Sequence, residues 1–149
     1  MKNFSKELIC QFIEQAVPFN HWLGLKMVSY EPGEVVICLP FREELIGDIR
    51  RPALHGGVLC TLIDATAGAA AITELHAMDR VSTLDLRVDF LRPGRPEPVL
   101  CRARVVRTGN RVAAVSATAY HEGEEKEPIA MGMAVFNIRR HTRTDPGPA

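Results

Sequence analysis

Hydrophobic positions are densest between residues 54 and 75, in the stretch LHGGVLCTLIDATAGAAAITEL. When these residues are placed at about 3.6 per turn, apolar side chains fall on nearly every face, which predicts a helix that is buried almost all round. At about 1.5 Å of rise per residue the helix would span roughly 30 Å, the width of a small domain. Such a helix needs a surrounding layer, and the chain after Arg80 has the pattern to supply it.

The chain after Arg80 predicts four strands, because runs of strand-forming residues alternate with turn-forming segments. These strands are predicted at about 81–92, 97–108, 111–121 and 127–138. In the last strand Ala130, Gly132 and Ala134 share one face, and small side chains there would let a long helix pack closely. Strands of this length reach roughly 33–40 Å and must curl around the helix.

Two shorter strands are predicted upstream, at 25–30 and 34–40, joined by a turn at Pro32-Gly33. Together the strands predict an α+β fold, in which a curved antiparallel sheet of about six strands wraps one long central helix. We expect a single domain over residues 1–138 and a flexible C-terminal tail over 139–149, RRHTRTDPGPA.

The remaining segments connect or cover these elements. Residues 5–17 predict a short amphipathic helix with Ser5 as its N-cap. Residues 19–24 predict a turn in which Trp22 covers one end of the core. Residues 41–53, FREELIGDIRRPA, predict a loop beside the start of the central helix, either a substrate lid or an ordinary connection.

Composition narrows the classes of function. The 149 residues suit one domain with a sizeable core, and 18 basic residues balance 18 acidic ones, so no nucleic-acid partner is predicted. The N-terminal sequence MKNFSKELIC has no apolar run long enough for a signal peptide or a membrane span. The cysteines are isolated, which predicts reduced core residues of a cytoplasmic protein and no metal site.

Two polar features interrupt the apolar helix, and they are the candidates for chemistry. At the helix start, His55-Gly56-Gly57, free backbone N–H groups and the helix dipole favour a developing negative charge. In mid-helix, Asp64 lies among apolar residues, where a carboxylate is costly unless it is paired or hydrogen-bonded.

The spacing keeps these two features apart within one chain. Gly57 and Asp64 share a helix face but lie about 10 Å apart along the axis, and His55 is on the opposite face, about 13 Å away. One chain therefore cannot easily bring its own Asp64 to its own helix start. A symmetric dimer could place the Asp64 of one subunit opposite the helix start of the other.

The residues Leu54-His55-Gly56-Gly57, followed by Leu62-Ile63-Asp64 and an alanine- and glycine-rich continuation, resemble the hotdog-fold acyl-CoA thioesterases. The resemblance is to the branch related to the phenylacetic-acid-pathway thioesterases. The segment 81–93, VSTLDLRVDFLRP, resembles the strand that follows the central helix in that family. This resemblance covers about residues 20 to 138 and implies the hotdog fold. It also implies hydrolysis of acyl-CoA thioesters to a free acid and coenzyme A, with no cofactor.

The resemblance also implies roles for individual residues. Asp64 would be the catalytic carboxylate, acting as general base on water or attacking the thioester directly. The N–H of Gly57 would polarise the carbonyl together with a neighbouring helix-start N–H, with Gly56 in contact with the substrate. Thr83 would help position the attacking water, unless it is only a strand-forming threonine. His55 would orient the helix start or contact the thioester.

One position departs from the family pattern. Many members carry an asparagine or glutamine several residues before the motif histidine, and Asp48 is the nearest candidate here. An acidic group would oppose an oxyanion unless it binds His55 instead. For the phosphates of coenzyme A, the candidate cations are Arg92, Arg107 and Arg111, at predicted strand ends or turns.

Three functions stay open at this point. The leading one is an acyl-CoA thioesterase that needs a homodimer to assemble its site, and the resemblance implies that dimers pair into tetramers. The second is a non-catalytic acyl-CoA binding module. The third is a hydratase or dehydratase of acyl thioesters, whose histidine motif the sequence matches poorly. Acyl chain length, and coenzyme A against acyl carrier protein, are not predicted.

Overall fold

The long central helix is present as α3, Gly56–Thr73, in the computed structural model, which describes residues 4–141 of the chain. Helix α3 begins after its N-cap residue His55, and most of its later residues are buried. By length and composition alone α3 is apolar enough to cross a membrane, but here the sheet covers it, as is typical of a core helix. The predicted buried helix is confirmed.

A six-stranded antiparallel sheet wraps α3, so the predicted α+β hotdog fold is confirmed. The strands of the described residues are β1 (Lys26–Glu31), β2 (Glu34–Leu39), β3 (Ile46–Asp48), β4 (Ala53–Leu54), β5 (Arg80–Phe90), β6 (Val99–Thr108), β7 (Val112–Tyr120) and β8 (Ala130–Arg139). The order in the large sheet is β1-β2-β6-β7-β8-β5, and β3 pairs with β4 in a separate hairpin. Helix α3 packs across β2, β6, β7, β8 and β5.

Small side chains line the inner face of the sheet where it meets α3. Ala130, Gly132 and Ala134 of β8 are buried, and the methionines between them are exposed, which confirms the predicted alternation. The closest approach is at Gly132, where a methyl group would lie 2.7 Å from Cγ2 of Ile63 on α3. The absence of a side chain at Gly132 therefore lets the helix lie close to the sheet.

Strand β5 forms one edge of the sheet. It pairs with β8 on one side, and no strand of residues 4–141 lies on its other side. Its side chains are largely exposed, and Leu84 in its middle is 61% exposed. An edge of 11 residues presents a row of unpaired backbone N–H and C=O groups, so β5 is able to pair with a further strand.

The N-terminal segment covers one side of α3. Helix α1, Lys6–Gln11, is capped by Ser5 as predicted and continues as a π-helical turn over Phe12–Ala16. The turn predicted at 19–24 is wrong, because this segment forms helix α2, Pro18–Leu23. Pro18 is at a position that favours helix initiation, and Gly24, with φ +74°, ends the helix in the left-handed conformation.

Trp22 does not cover the core, which corrects the sequence interpretation. Its side chain is 57% exposed and stacks on the ring of Phe19, with 6.0 Å between the ring centroids. The guanidinium of Arg42 lies over the indole at 4.3 Å from the ring centroid. The indole is thus held from outside the core by another aromatic ring and a cation.

The segment 41–53 is more ordered than the predicted loop. It contains a 3-10 turn over Glu43–Leu45 and then the β3–β4 hairpin. It lies beside the helix start as expected, because the His55 N–H donates to the Leu45 carbonyl at 2.8 Å. A methyl group on Gly47 would lie 2.7 Å from the His55 Cα, so β3 crosses closely over the helix start.

The fold continues past residue 138, where the tail was predicted to begin. Strand β8 extends to Arg139, and the carboxylate of Asp79 binds the next two residues. It accepts hydrogen bonds from Nη1 of Arg140 and from the His141 N–H, both at 2.9 Å. The predicted tail over 142–149 lies outside the described residues.

Candidate active site

The first residue of the site, His55, caps α3 with its own side chain. With φ −63° and ψ 131° it is extended, and its Nδ1 accepts a hydrogen bond from the Gly57 N–H at 2.9 Å. Because Nδ1 is the acceptor, the neutral ring carries its proton on Nε2, which is left to donate. His55 therefore caps the helix start, which is compatible with the first of the two roles that the resemblance implied, and its contact with the thioester stays a prediction.

The same hydrogen bond changes the prediction for Gly57. Its N–H is already used within the chain, whereas the Gly56 N–H has no acceptor among residues 4–141. A methyl group on Gly56 would lie 3.3 Å from the ring of Phe90, so glycine leaves this backbone close to the aromatic ring. At the positive end of α3, Gly56 is the free donor and Gly57 the capped one.

The carboxylate of Asp64 is hydrogen-bonded to Thr83, and this pair links α3 to β5. The Thr83 hydroxyl donates to Oδ1 of Asp64 at 2.9 Å. Asp64 is half-buried, less so than the sequence pattern suggested, because one side of the helix faces a cavity at this level. The hydrogen bond holds Oδ1 of the carboxylate, and Oδ2 has no hydrogen-bond donor among residues 4–141.

The cavity beside Asp64 has a volume of about 870 Å³, is lined by α3, β5, β8 and the N-terminal segment, and is partly open to solvent. Its central wall is apolar and is formed by Ala65, Gly68, Ala69, Ile72 and Phe136. Across from this wall lie apolar side chains of the N-terminal helical segment, among them Leu8 and Phe12. The site thus combines one carboxylate–hydroxyl pair with a long apolar space.

One chain does not bring the helix start and Asp64 together. Gly56 and Asp64 are eight residues apart on a continuous helix, which corresponds to about 12 Å along the axis. Asp64 and Thr83 line the cavity, whereas His55, Gly56 and Gly57 lie outside it. The separation inferred from the sequence is therefore present in the fold.

Asp48 does not bind His55 and takes no part in the site of its own chain. Its Oδ1 accepts from the Arg50 N–H at 2.9 Å, and the Arg50 Nε lies 3.7 Å away. An aspartate that accepts from the backbone two residues ahead stabilises a tight turn, here the one between β3 and β4. These contacts give Asp48 a role in its own turn, and its contact with the substrate stays a prediction.

The three predicted phosphate-binding arginines do not form one cluster in the chain. Arg92 follows β5 near the helix start and pairs with Glu127 at 3.3 Å. Arg107 and Arg111 flank the β6–β7 turn, at the other end of α3, where Thr108 donates to the Glu74 carboxylate. The length of α3, about 27 Å, separates the two places.

The structure instead brings a different pair of arginines to the cavity. Arg80 and Arg139 are direct partners across β5 and β8, and both line the cavity. Within residues 4–141 neither has a carboxylate at ion-pair distance. The sequence could not reveal this pair, because it depends on the register of two strands that are far apart in the chain.

The cysteines near the site are not activated. All four are free thiols, and Cys101 is fully buried in the sheet. Burial raises the pKa of Cys101 to about 12, and burial also raises the pKa of Cys60, one turn before Asp64. Thiols of this kind stay protonated near neutral pH, so neither cysteine is an activated nucleophile.

Comparison with protein-family models matches the thioesterase superfamily over residues 52–127, which include α3, β5, β6 and β7. Among curated proteins, a putative esterase of Saccharolobus solfataricus is 37% identical over 105 residues, covering 70% of this chain and 73% of its own. The medium/long-chain acyl-CoA thioesterase YigI of Escherichia coli is 29% identical over 145 residues, covering 89% and 92%.

Solved structures of thioesterase-family proteins are also similar to this fold. A thioesterase-family protein from Silicibacter pomeroyi superposes with a TM-score of 0.78 at 28% identity, covering 87% of this chain and 97% of its own. A second thioesterase-superfamily structure superposes with a TM-score of 0.80 at 31% identity, covering 89% and 97%. The likeness thus extends over nearly the whole fold described above.

Proposed function

Because this chain belongs to the thioesterase superfamily, we propose that it hydrolyses acyl-CoA thioesters to a free acid and coenzyme A. That it is a thioester hydrolase follows from the family and from relatives that carry that activity in their names. The observation that carries the proposal is the 2.9 Å hydrogen bond from Thr83 to Asp64 at the wall of an apolar cavity. The name of the Escherichia coli relative supports coenzyme A as the carrier.

Asp64 supplies the base or the nucleophile. As a base, Oδ2 takes a proton from water as the water oxygen attacks the thioester carbon; the C–S bond then breaks and the thiolate of coenzyme A leaves and is protonated. As a nucleophile, Oδ2 attacks the thioester carbon, and the C–S bond breaks to release the thiolate of coenzyme A, which is protonated. Water then hydrolyses the resulting acyl–carboxyl anhydride to the free acid and the restored carboxylate. Both routes use the oxygen that Thr83 leaves free, so Thr83 acts by orienting the carboxylate.

The carbonyl oxygen is polarised at a helix start. The free Gly56 N–H is the donor in this proposal, in place of the Gly57 N–H, which His55 already holds. The positive end of the α3 dipole adds to the stabilisation of negative charge at this point. A lost donor of this kind costs about 10²–10³ in kcat.

A homodimer completes the site. The helix start and Asp64 of one chain are about 12 Å apart along α3, which is too far for both to act on one carbonyl group. The open edge of β5 supports pairing of β5 with the same strand of a second copy, because an isologous interface places each Asp64 toward the partner's half of the site. We also predict that two dimers pair into a tetramer, and measurement of the molecular mass in solution tests this.

The function is tested by thiol release from a panel of acyl-CoAs. We expect turnover of straight-chain acyl-CoAs, and the panel includes phenylacetyl-CoA, because the motifs resemble the phenylacetic-acid-pathway branch. Matching acyl carrier protein thioesters test the carrier. Saturable binding of acyl-CoA with no thiol release from any member would instead favour a non-catalytic binding module.

The shared site makes a second prediction, that two inactive variants restore activity when mixed. Asp64→Asn removes the carboxylate, and Gly56→Pro removes the free N–H. Proline suits the first helical position, and the extended His55 before it is compatible with proline. Unfolding and refolding an equal mixture makes half of the dimers mixed, and each has one intact site, so roughly one quarter of wild-type activity returns.

The matched control is an equal mixture of Asp64→Asn and Asp64→Ala, in which no dimer has an intact site. Absence of recovery in the first mixture, with both variants dimeric, would contradict a site shared between subunits. Full activity of Gly56→Pro alone would show that another donor polarises the carbonyl.

A further inference from the structure

Helix α3 contains a glycine in its interior, Gly68, where alanine would be the better helix former. Its neighbours along the helix are Ala67 and Ala69, so alanine is compatible with the local composition. Glycine in a helix interior is less favourable than alanine, because it loses more backbone freedom on folding. A glycine in the middle of the most buried helix of the fold therefore needs a reason.

Neither the backbone nor the packing supplies this reason. Gly68 is helical and is not among the glycines with positive φ in the described residues. A methyl group at Gly68 would lie 3.6 Å from Cε1 of Phe136, an ordinary contact, whereas one at Gly132 would lie 2.7 Å from Ile63. Alanine would fit at Gly68 without any movement of its neighbours.

What the missing side chain does provide is open space in the cavity. Asp64, Gly68 and Ile72 are spaced by four residues, lie on one stripe of α3 and all line the cavity. The stripe runs about 12 Å from the carboxylate to Ile72. Gly68 is thus the place where a larger side chain would narrow the space between α3 and Phe136.

The polarity of the cavity wall around Gly68 indicates which part of a thioester substrate, the pantetheine arm or the acyl arm, would lie against it. The pantetheine arm carries amides, which need hydrogen-bond partners when they leave water. The wall at Ala65, Gly68, Ala69, Ile72 and Phe136 offers no polar side chain, and the polar side chains of the cavity, among them Ser82, Arg80 and Arg139, lie elsewhere in its lining. A hydrocarbon chain loses nothing against this apolar wall and gains from burial. The acyl arm is therefore the one that suits this space.

We propose that Gly68 keeps open a passage for the acyl chain, so that this residue sets the acyl length the enzyme accepts. The proposal rests on the proposed function and assigns the substrate class as unbranched acyl thioesters long enough to extend past Gly68 toward Ile72. In the wild type, kcat/KM rises roughly threefold to fourfold for each methylene that enters the passage.

The test is a series of side chains at Gly68, with kcat/KM measured from acetyl-CoA to long-chain acyl-CoAs. The readout is the ratio of long-chain to short-chain kcat/KM. We expect Gly68→Ala to lower it slightly while raising Tm, and Gly68→Leu to lower it by about 10²-fold, the equivalent of three to four excluded methylenes. Ile72→Ala should move the preference to longer acyl chains, and Ile72→Val, a smaller truncation, should move it in the same direction by less. Val28→Leu, on exposed β1, is the control for added volume and should leave the ratio unchanged.

Two results would overturn the proposal. One is a Gly68→Leu variant, still folded by circular dichroism, in which all chain lengths lose kcat/KM equally, since the space would then hold pantetheine or have only a packing role. The other is an unchanged ratio in both Gly68→Leu and Ile72→Ala. If the wild type hydrolyses no acyl-CoA, the proposed function fails, and the length dependence of fatty-acid binding in the same variants still tests the passage.

Discussion

Replacing Asp64 with asparagine will abolish thioester hydrolysis while leaving the fold and the oligomer intact. Asparagine has the same shape and retains an oxygen that can accept from the Thr83 hydroxyl, so the α3–β5 contact survives. The basic oxygen is lost, and removal of a positioned general base lowers kcat by about 10²–10⁴-fold. Loss of a nucleophile would lower it further. Thiol release under saturating acyl-CoA measures the effect.

The control is Asp48→Asn, the same change in a carboxylate that stabilises its own turn. Its activity should remain near that of the wild type, because the asparagine oxygen can still accept from the backbone. The activity of Thr83→Ala should lie between those of Asp64→Asn and Asp48→Asn, because this change removes the hydrogen bond to the Asp64 carboxylate but keeps the carboxylate. Substantial turnover by a folded, dimeric Asp64→Asn enzyme would rule out the catalytic role of Asp64.

The second large effect is expected at Asp79, on stability rather than activity. Its side chain is 1% exposed and accepts from Nη1 of Arg140, the His141 N–H and the His76 N–H. Asp79→Ala leaves these donors and a cation without their partner. We expect the free energy of unfolding to fall by about 3 kcal/mol, near the lower end for a broken buried pair, because Arg140 is 34% exposed. Urea denaturation at neutral pH measures the loss.

The pH dependence of this effect has a definite sign. Burial alone would raise the pKa of Asp79, but the hydrogen bonds from His141, Arg140 and His76 together lower it in the folded state. A lowered folded pKa means that the stabilisation is complete above the unfolded value, about 4, and is lost as the pH falls through the folded value. The difference between wild type and Asp79→Ala should therefore shrink below pH ~4.

Asp89→Asn is the matched control, because Asp89 forms an exposed ion pair with Arg87 on β5. Exposed pairs contribute about 0–1 kcal/mol, so this variant should unfold close to the wild type. The structural role of the Asp79 carboxylate would be contradicted if Asp79→Ala lost no more unfolding free energy than Asp89→Asn. It would also be contradicted if the loss at Asp79 stayed the same below pH ~4.

Much of the fold could be predicted because its elements carry strong periodic signals. Helix α3 is apolar on nearly every face, and β8 alternates small inner residues with methionines, so both were identified to within a few residues. The segment 18–23 was misjudged because Pro18 indicates a turn as readily as a helix start. The β3–β4 hairpin was missed because its strands have only three and two residues.

For the candidate site, the sequence indicated residues but not their contacts. The sequence identified His55, Asp64 and Thr83, and the structure places the last two in a hydrogen bond. It could not show that His55 holds the Gly57 N–H, which depends on a side-chain torsion at the N-cap. Nor could it show that Asp48 serves its own turn, because an aspartate in a short loop can point either way.

The position of Trp22, stacked on Phe19, determines what the tryptophan fluorescence of this protein measures. Trp22 is the only tryptophan of the chain, and it lies on α2, outside the core and beneath the guanidinium of Arg42. Its emission therefore follows the polarity around the N-terminal segment, which is also one wall of the cavity, rather than the integrity of the sheet. The native emission spectrum is expected to be red-shifted. Changes in this spectrum are expected to follow movement of that wall while the sheet stays folded.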